Sequence, residues 1–144
     1  MKRILLLFVL GMVFLLSGCI FKSNPAGFVE IAGAWSLNGR VVYGETDLTG
    51  SGTLYITKQE GSIFSGTGWC IFGSAPVEGT VSERPENKLV MNATLTYGDQ
   101  ERTVYFVGHV KEFESEISVE DGEIFLDNLT KKVGTWTGER TVAP

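Results

Sequence analysis

Few residues of this sequence combine a type and a spacing that could do chemistry. The single histidine, His109 in "VGHVKE", has no second histidine at metal-ligand spacing and no adjacent nucleophile turn. A Ser-His-Asp triad would have to use His109, and "GSGT" at residues 50–53 is more typical of a turn than of a nucleophile elbow. We therefore expect no catalytic residues, no metal site and no cofactor, and we interpret the protein as a non-enzyme.

Seven carboxylates fall within residues 112–127, in "EFESEISVEDGEIFLD". They could bind calcium or a basic partner, but their spacing lacks the Asp-x-Asp-x-Asp-Gly order of a calcium loop. Acidic residues that alternate along strands usually form the solvated outer face, and we expect that arrangement here.

The cysteine Cys19 lies where a secretory signal would end. Two basic residues at 2–3, an apolar run of 13 residues at 4–16 and two small residues at 17–18 precede it. The apolar run is shorter than the roughly 20 residues that a membrane-spanning helix needs. The pattern therefore predicts a helical signal peptide at residues 1–18.

The tetrapeptide "LSGC" at residues 16–19 resembles the lipobox of bacterial lipoproteins. The resemblance implies a diacylglyceryl thioether on Cys19, cleavage after Gly18 and further acylation, for example with palmitate, of the new amino group. Two or three acyl chains hold a protein stably on a membrane. The implied location is the extracytoplasmic side of the cell envelope. It is the outer membrane if the organism has one, because Ile20 stands where an inner-membrane retention signal would place Asp.

The formal net charge of −5 would become −7 on loss of the two basic residues, Lys2 and Arg3, in the signal peptide. Nucleic-acid binding needs a basic surface, so this balance argues against it. It also argues against electrostatic adhesion to anionic lipid, which leaves the acyl chains on Cys19 to bind the membrane.

The second cysteine, Cys70, lies in "GTGWCIFG" among apolar and aromatic neighbours. A thioether at Cys19 would leave Cys70 without a disulfide partner, and no nearby base or cation is present in the sequence to activate its thiol. We expect it to be a small buried hydrophobic side chain.

The chain divides into the signal peptide, a lipidated tether at residues 19–32 and one domain at residues 33–144. The domain is rich in Gly, Thr, Val and aromatic residues, lacks long helical periodicity and has turn signals about every ten residues, which predicts an all-β fold. We expect a small antiparallel up-and-down β-barrel of about eight to ten strands, since closure removes exposed edges. A two-sheet β-sandwich is the alternative.

Two segments alternate in the manner of hairpins, one at residues 52–69 around "QEGS" and one at 88–110 around "YGDQE". Two further short strands are expected at residues 116–120 and 123–127. Apolar residues on one face of the hairpin strands should line the barrel interior and contact any apolar ligand there. These candidates are Leu54, Ile56, Met91, Leu95, Tyr97 and Phe106.

The stretches "GAWSLNGR" at 33–40 and "GTWTGER" at 134–140 suggest the first and last strands of one closed meander. Here the chain resembles the lipocalin and avidin group of small barrels. By that resemblance, Gly33 and Trp35 form the first-strand motif beneath the barrel, and Arg140 lies across the indole of Trp35. We expect these residues and Trp136 to serve the structure rather than ligand binding.

Three functional hypotheses follow. The favoured one is a lipid-anchored binding module whose barrel takes up a small apolar or amphipathic molecule. The alternative is an interaction, inhibitor or envelope-assembly lipoprotein with a solid barrel and no ligand cavity, which would contact an envelope protein. An enzyme that uses His109 and acidic neighbours is the least favoured.

Overall fold

The computed structural model describes residues 27–70, 73–97 and 99–142. The predicted signal peptide, the lipid attachment site Cys19 and residues 20–26 of the predicted tether lie outside the described residues, as does the side chain of Tyr97. In the part of the chain that is described, no helix is long and apolar enough to cross a membrane.

Nine β-strands make up most of the described residues. Along them buried side chains alternate with exposed ones, as expected for strands that have one face in the core and one face in solvent. The strands are β1 (Gly33–Tyr43), β2 (Thr46–Glu60), β3 (Ile63–Cys70), β4 (Gly73–Val81), β5 (Lys88–Tyr97), β6 (Gln100–His109), β7 (Lys111–Phe113), β8 (Glu116–Leu126) and β9 (Lys132–Val142).

Every pairing between these strands is antiparallel, in the order β6-β5-β4-β3-β2-β1-β9-β8. Residues 104–107 of β6 also pair with residues 123–126 of β8, which closes eight strands into an up-and-down barrel. The short strand β7 extends the sheet beside β8. The predicted barrel is therefore confirmed, and the closed ring differs from the alternative two-sheet sandwich.

The two predicted hairpins are present, as the antiparallel pair β2–β3 with a turn at residues 61–62 and as the antiparallel pair β5–β6. By contrast, the two short strands expected at 116–120 and 123–127 are one continuous strand, β8. A bulge lies between Val119 and Gly122, so Glu120 and Asp121 interrupt the ladder without ending the strand. The sequence "EDGE" suggested a turn because acidic residues and glycine are common in both turns and bulges.

The two ends of the barrel differ. We call the end with the turn at residues 61–62 and the segment 27–32 the closed end, and the end with the turns at 44–45 and 127–131 the open end. Val29 and Ile31 in the segment 27–32 are 0% exposed and belong to the hydrophobic core. The folded domain therefore begins before the predicted boundary at Gly33, because the last part of the predicted tether packs into the barrel.

Candidate ligand site in the barrel interior

Gln59, near the end of β2, fastens the segment 27–32 under the barrel. Its side-chain oxygen Oε1 accepts a hydrogen bond from the backbone N–H of Ile31 at 2.8 Å, and its Nε2 donates to the carbonyl of Val29 at 2.8 Å. A single amide thus satisfies two backbone groups that would otherwise be buried without partners. The sequence suggested only a turn around Gln59, and nothing local in "KQEGS" indicates its distant partners.

Trp35 of β1 also holds this segment. It is 2% exposed, and its indole Nε1 donates to the carbonyl of Ile31 at 2.8 Å. The structure therefore places Trp35 at the closed end of the barrel, with Gly33 two residues earlier at the start of β1.

Arg140 of β9 lies opposite Trp35 in the β1–β9 ladder. Its Nη1 donates to the carbonyl of Glu30 at 2.9 Å and to the carbonyl of Ala32 at 3.4 Å. The hydrogen bonds of Arg140 thus tie the last strand to the segment 27–32. Arg140 therefore lies at the closed end of the barrel.

A third attachment runs through Arg84, in the turn between β4 and β5. Its Nη1 donates to the carbonyl of Phe28 at 3.2 Å, and its Nε and Nη2 each donate to a carboxylate oxygen of Glu112 at 2.7 Å. The hydrogen bonds from Arg84 hold the pKa of the Glu112 carboxyl below its ordinary value. This bidentate pair joins the segment 27–32 to β7.

Trp136 of β9 fills the middle of the interior. Its indole Nε1 donates to the carbonyl of Val107 at 3.2 Å, and its ring meets the ring of Phe106 edge to face at 5.9 Å between centroids. Its neighbours on the adjoining strands are glycines, and a side chain at Gly122 would overlap the indole. The interior is therefore packed from the segment 27–32 up to this aromatic pair.

Beyond Trp136, towards the open end, Ile124 and Val133 are still buried, but several other inward-facing apolar side chains are only partly buried. They include Val41, Leu95, Val104 and Leu126, which pack against the core without being covered by it. Leu48, on the inward face of β2 and opposite Val41, is 39% exposed. An apolar surface inside the barrel is thus reachable by solvent from one end, and this surface is the candidate ligand site.

The structure divides the six predicted interior residues between these two regions. Leu54, Ile56 and Met91 are buried in the packed core, and Phe106 is partly buried beside Trp136. Leu95 is partly buried nearer to the open end. Tyr97 ends β5, and its side chain lies outside the described residues. The candidate ligand site therefore contains only part of the set that the alternation predicts.

Arg102 of β6 adds a charged group beside this apolar surface. It lies opposite Leu95 in the β5–β6 ladder and so shares its face, and its guanidinium pairs with the carboxylate of Asp127 at 2.5 Å. Both side chains are close to half exposed. Nothing local in the sequence indicates this pair, because 25 residues separate its members along the chain.

The position of Cys70 differs from the expected one. The thiol was expected in the core, but Cys70 is exposed at the end of β3, where the strand reaches the open end. Its apolar neighbours suggested burial, yet alternation alone does not tell how far a strand extends beyond the packed part of a barrel.

The carboxylates of the acidic segment at residues 112–127 are solvated as expected, since six of the seven residues are exposed and Glu123 is half-buried. Four of its seven carboxylates form salt bridges: Glu112 with Arg84, Glu120 with Lys111, Glu123 with Lys132, and Asp127 with Arg102. No group of three or more potential metal ligands occurs among the residues that could be placed. His109 is exposed at the end of β6, opposite Lys88.

An open depression of about 570 Å³ lies on the outer wall, across β1, β9 and the bulge of β8. Its charged side chains include Arg40, Glu120, Glu123 and Lys132, and all four are already in salt bridges. The depression is wide open to solvent, so we favour the barrel interior as the ligand site.

Comparison with known protein families, with characterised proteins and with solved structures finds no significant match to this chain. The architecture itself, a small closed antiparallel barrel of eight strands, is consistent with a lipocalin-like barrel.

Proposed function

We propose that the protein is a cell-envelope lipoprotein, anchored through Cys19 on the extracytoplasmic side, whose barrel binds a small apolar or amphipathic molecule through its open end. The observation that carries the binding proposal is the partial exposure of interior apolar side chains towards the open end. Val41, Leu95, Val104 and Leu126 are only partly buried there, and Leu48 is 39% exposed. A concave, mostly apolar surface with a few polar groups is the usual form of a small-molecule site.

The sealed end supports a single route of access. Gln59, Trp35 and Arg140 all bond to the segment 27–32, so a ligand that avoids unfolding this segment must use the opposite end. Arg102 lies on the same face as Leu95 there, and its half-exposed guanidinium suits the polar group of an amphipathic ligand.

The binding test uses protein that lacks residues 1–19 and the neutral fluorescent probe N-phenyl-1-naphthylamine. Leu95→Gln places a polar group in the candidate site, and the matched control Thr94→Gln changes the exposed outer face of the same strand. We expect the Leu95 variant to bind the probe about tenfold more weakly, since losing roughly 1.4 kcal/mol of apolar contact is a factor of ten. Equal binding by both variants would contradict the interior site.

A natural ligand can be sought without knowing its identity. Native mass spectrometry of the same protein, purified without detergent, should show an added mass that disappears on denaturation. The probe should also slow alkylation of Cys70 at the open end.

The lipid anchor has its own test in the producing bacterium. Wild-type protein should incorporate labelled palmitate, and Cys19→Ala should not. Label in the Cys19→Ala variant equal to that in the wild type would contradict attachment at Cys19.

One observation favours the alternative, a protein-interaction role. Tyr55 and Trp69 are exposed on the outer face of β2 and β3, and their rings meet edge to face at 5.3 Å. Exposed aromatic residues are enriched at protein interfaces. If this role is the main one, Trp69→Ala should abolish capture of an envelope protein by cross-linking, and Leu95→Gln should leave that capture unchanged.

A further inference from the structure

Two exposed apolar side chains stand out at the closed end of the barrel. Phe113 is 72% exposed and Ile63 is 64% exposed, the highest values for large apolar side chains among the residues whose exposure is described. Phe113 ends β7 at the turn to β8, and Ile63 begins β3 directly after the turn at residues 61–62. Apolar side chains exposed together at one end of a domain are a feature of surfaces that contact a membrane or another protein.

Both residues lie beside the position where the described chain begins. The turn before Ile63 contains Gly61, and a Cβ there would be 3.6 Å from the ring of Phe28. Phe113 follows Glu112, which pairs with Arg84, and Arg84 in turn donates to the carbonyl of Phe28. Ile63 and Phe113 thus flank the start of the folded domain on two sides.

The length of chain before this position limits how far the closed end can be from a lipid on Cys19. Only residues 20–26 separate Cys19 from Gly27, so even a fully extended chain spans about 28 Å between their Cα atoms. Strands of 11 residues tilted as in small barrels give a wall of roughly the same height. A barrel whose open end faced the membrane would need residues 20–26 fully extended along its wall.

We propose that the closed end rests on the bilayer, with Phe113 and Ile63 in its interfacial layer, and that the open end faces away from the membrane. This orientation rests on the proposed anchor at Cys19. Acidic side chains are exposed around the same end, namely Glu60, Glu83, Glu86, Glu114 and Glu116. The contact therefore depends on apolar insertion into lipid rather than on attraction to anionic headgroups. A ligand then exchanges with the aqueous compartment or with a soluble carrier.

The test uses the full, lipidated protein on phosphatidylcholine vesicles and compares two spin labels. The first is on Cys70 at the open end. The second is on Ser115→Cys in a Cys70→Ser background, next to the intact Phe113 at the closed end. We expect the label at residue 115 to be reached by a water-soluble relaxation agent at least several-fold less than the label at Cys70.

A double variant, Phe113→Ser with Ile63→Ser, checks which side chains cause the protection. It should still float with the vesicles while the label at residue 115 becomes as accessible as that at Cys70. Flotation of the unaltered protein with both labels equally accessible would overturn the orientation alone. Failure to float with vesicles would overturn the anchor and the orientation together.

Discussion

The indole of Trp136 lies directly against the backbone of Gly122, so closely that a Cβ at Gly122 would be 2.3 Å from the indole Nε1. Gly122 follows the bulge in β8, and Trp136 faces it across the β8–β9 ladder. The largest side chain in the middle of the interior is thus accommodated by a residue that has no side chain.

Replacing Gly122 with alanine should therefore force Trp136 to move. We expect the free energy of unfolding to fall by about 1–3 kcal/mol, the usual cost of overpacking a core, and the tryptophan fluorescence to shift. Urea denaturation measures the first effect. Gly39→Ala is the matched control, because its added Cβ would meet its nearest atoms at 3.5 Å, an ordinary contact. Equal losses in the two variants would contradict a specific clash.

Trp35 should matter for its hydrogen bond as well as for its bulk. In Trp35→Phe the carbonyl of Ile31 loses its indole donor inside the core, and we expect a loss of about 1–3 kcal/mol in unfolding free energy. Trp69→Phe, at an exposed position on the outer wall, should change stability by less than about 0.5 kcal/mol. Similar stabilities for the two variants would show that the indole bond is unimportant.

Gln59 should control the attachment of the segment 27–32. Gln59→Ala leaves the N–H of Ile31 and the carbonyl of Val29 without their partners, at a cost of about 1–3 kcal/mol. Amide hydrogen exchange should accelerate at Ile31 before it does so in the strands. Gln100→Ala, at an exposed site at the open end, serves as the control and should leave exchange at Ile31 unchanged.

The Arg84–Glu112 pair should make stability depend on acid. Because the folded protein lowers the pKa of Glu112, the unfolded chain binds more protons than the folded one below the ordinary value of 4.5. The stabilisation is complete above that pH and is lost as the pH falls through the lower pKa of the folded state.

Glu112→Gln provides the measurement for this pair. It should cost about 0.5–1 kcal/mol at pH 7, since both side chains are only partly exposed, and the difference from the wild type should shrink towards pH 3. Glu114→Gln, two residues away in the exposed turn between β7 and β8, is the control. A difference that stays constant across this range would exclude the ionised carboxylate as its source.

The local part of the fold was predictable from the sequence. The alternation of Leu54 and Ile56 with Tyr55 follows from the period of a strand, and it correctly placed the first two in the core. The apolar neighbours of Cys70 led to a wrong expectation of burial, because neighbours in sequence do not show how far a strand extends beyond the packed part of the barrel.

Long-range partners were not predictable from single stretches of sequence. Gln59 and Ile31 are 28 residues apart, and Arg84 and Glu112 are also 28 apart, so only the closed ring brings each pair together. The bulge in β8 has a different cause. Glu120 and Asp121 favour a turn by type, but the ladders on both sides keep the strand continuous. Tertiary pairing overrides local preference there.

The ladder between β1 and β9 joins the first and last strands of the described chain. Contacts at such long sequence separation form late, because a long loop must close before they contribute. For a chain exported with its N-terminus first, the barrel cannot close until β9 has emerged from the translocation channel. If the protein is exported as proposed, this order of events keeps the polypeptide unfolded until export is nearly complete.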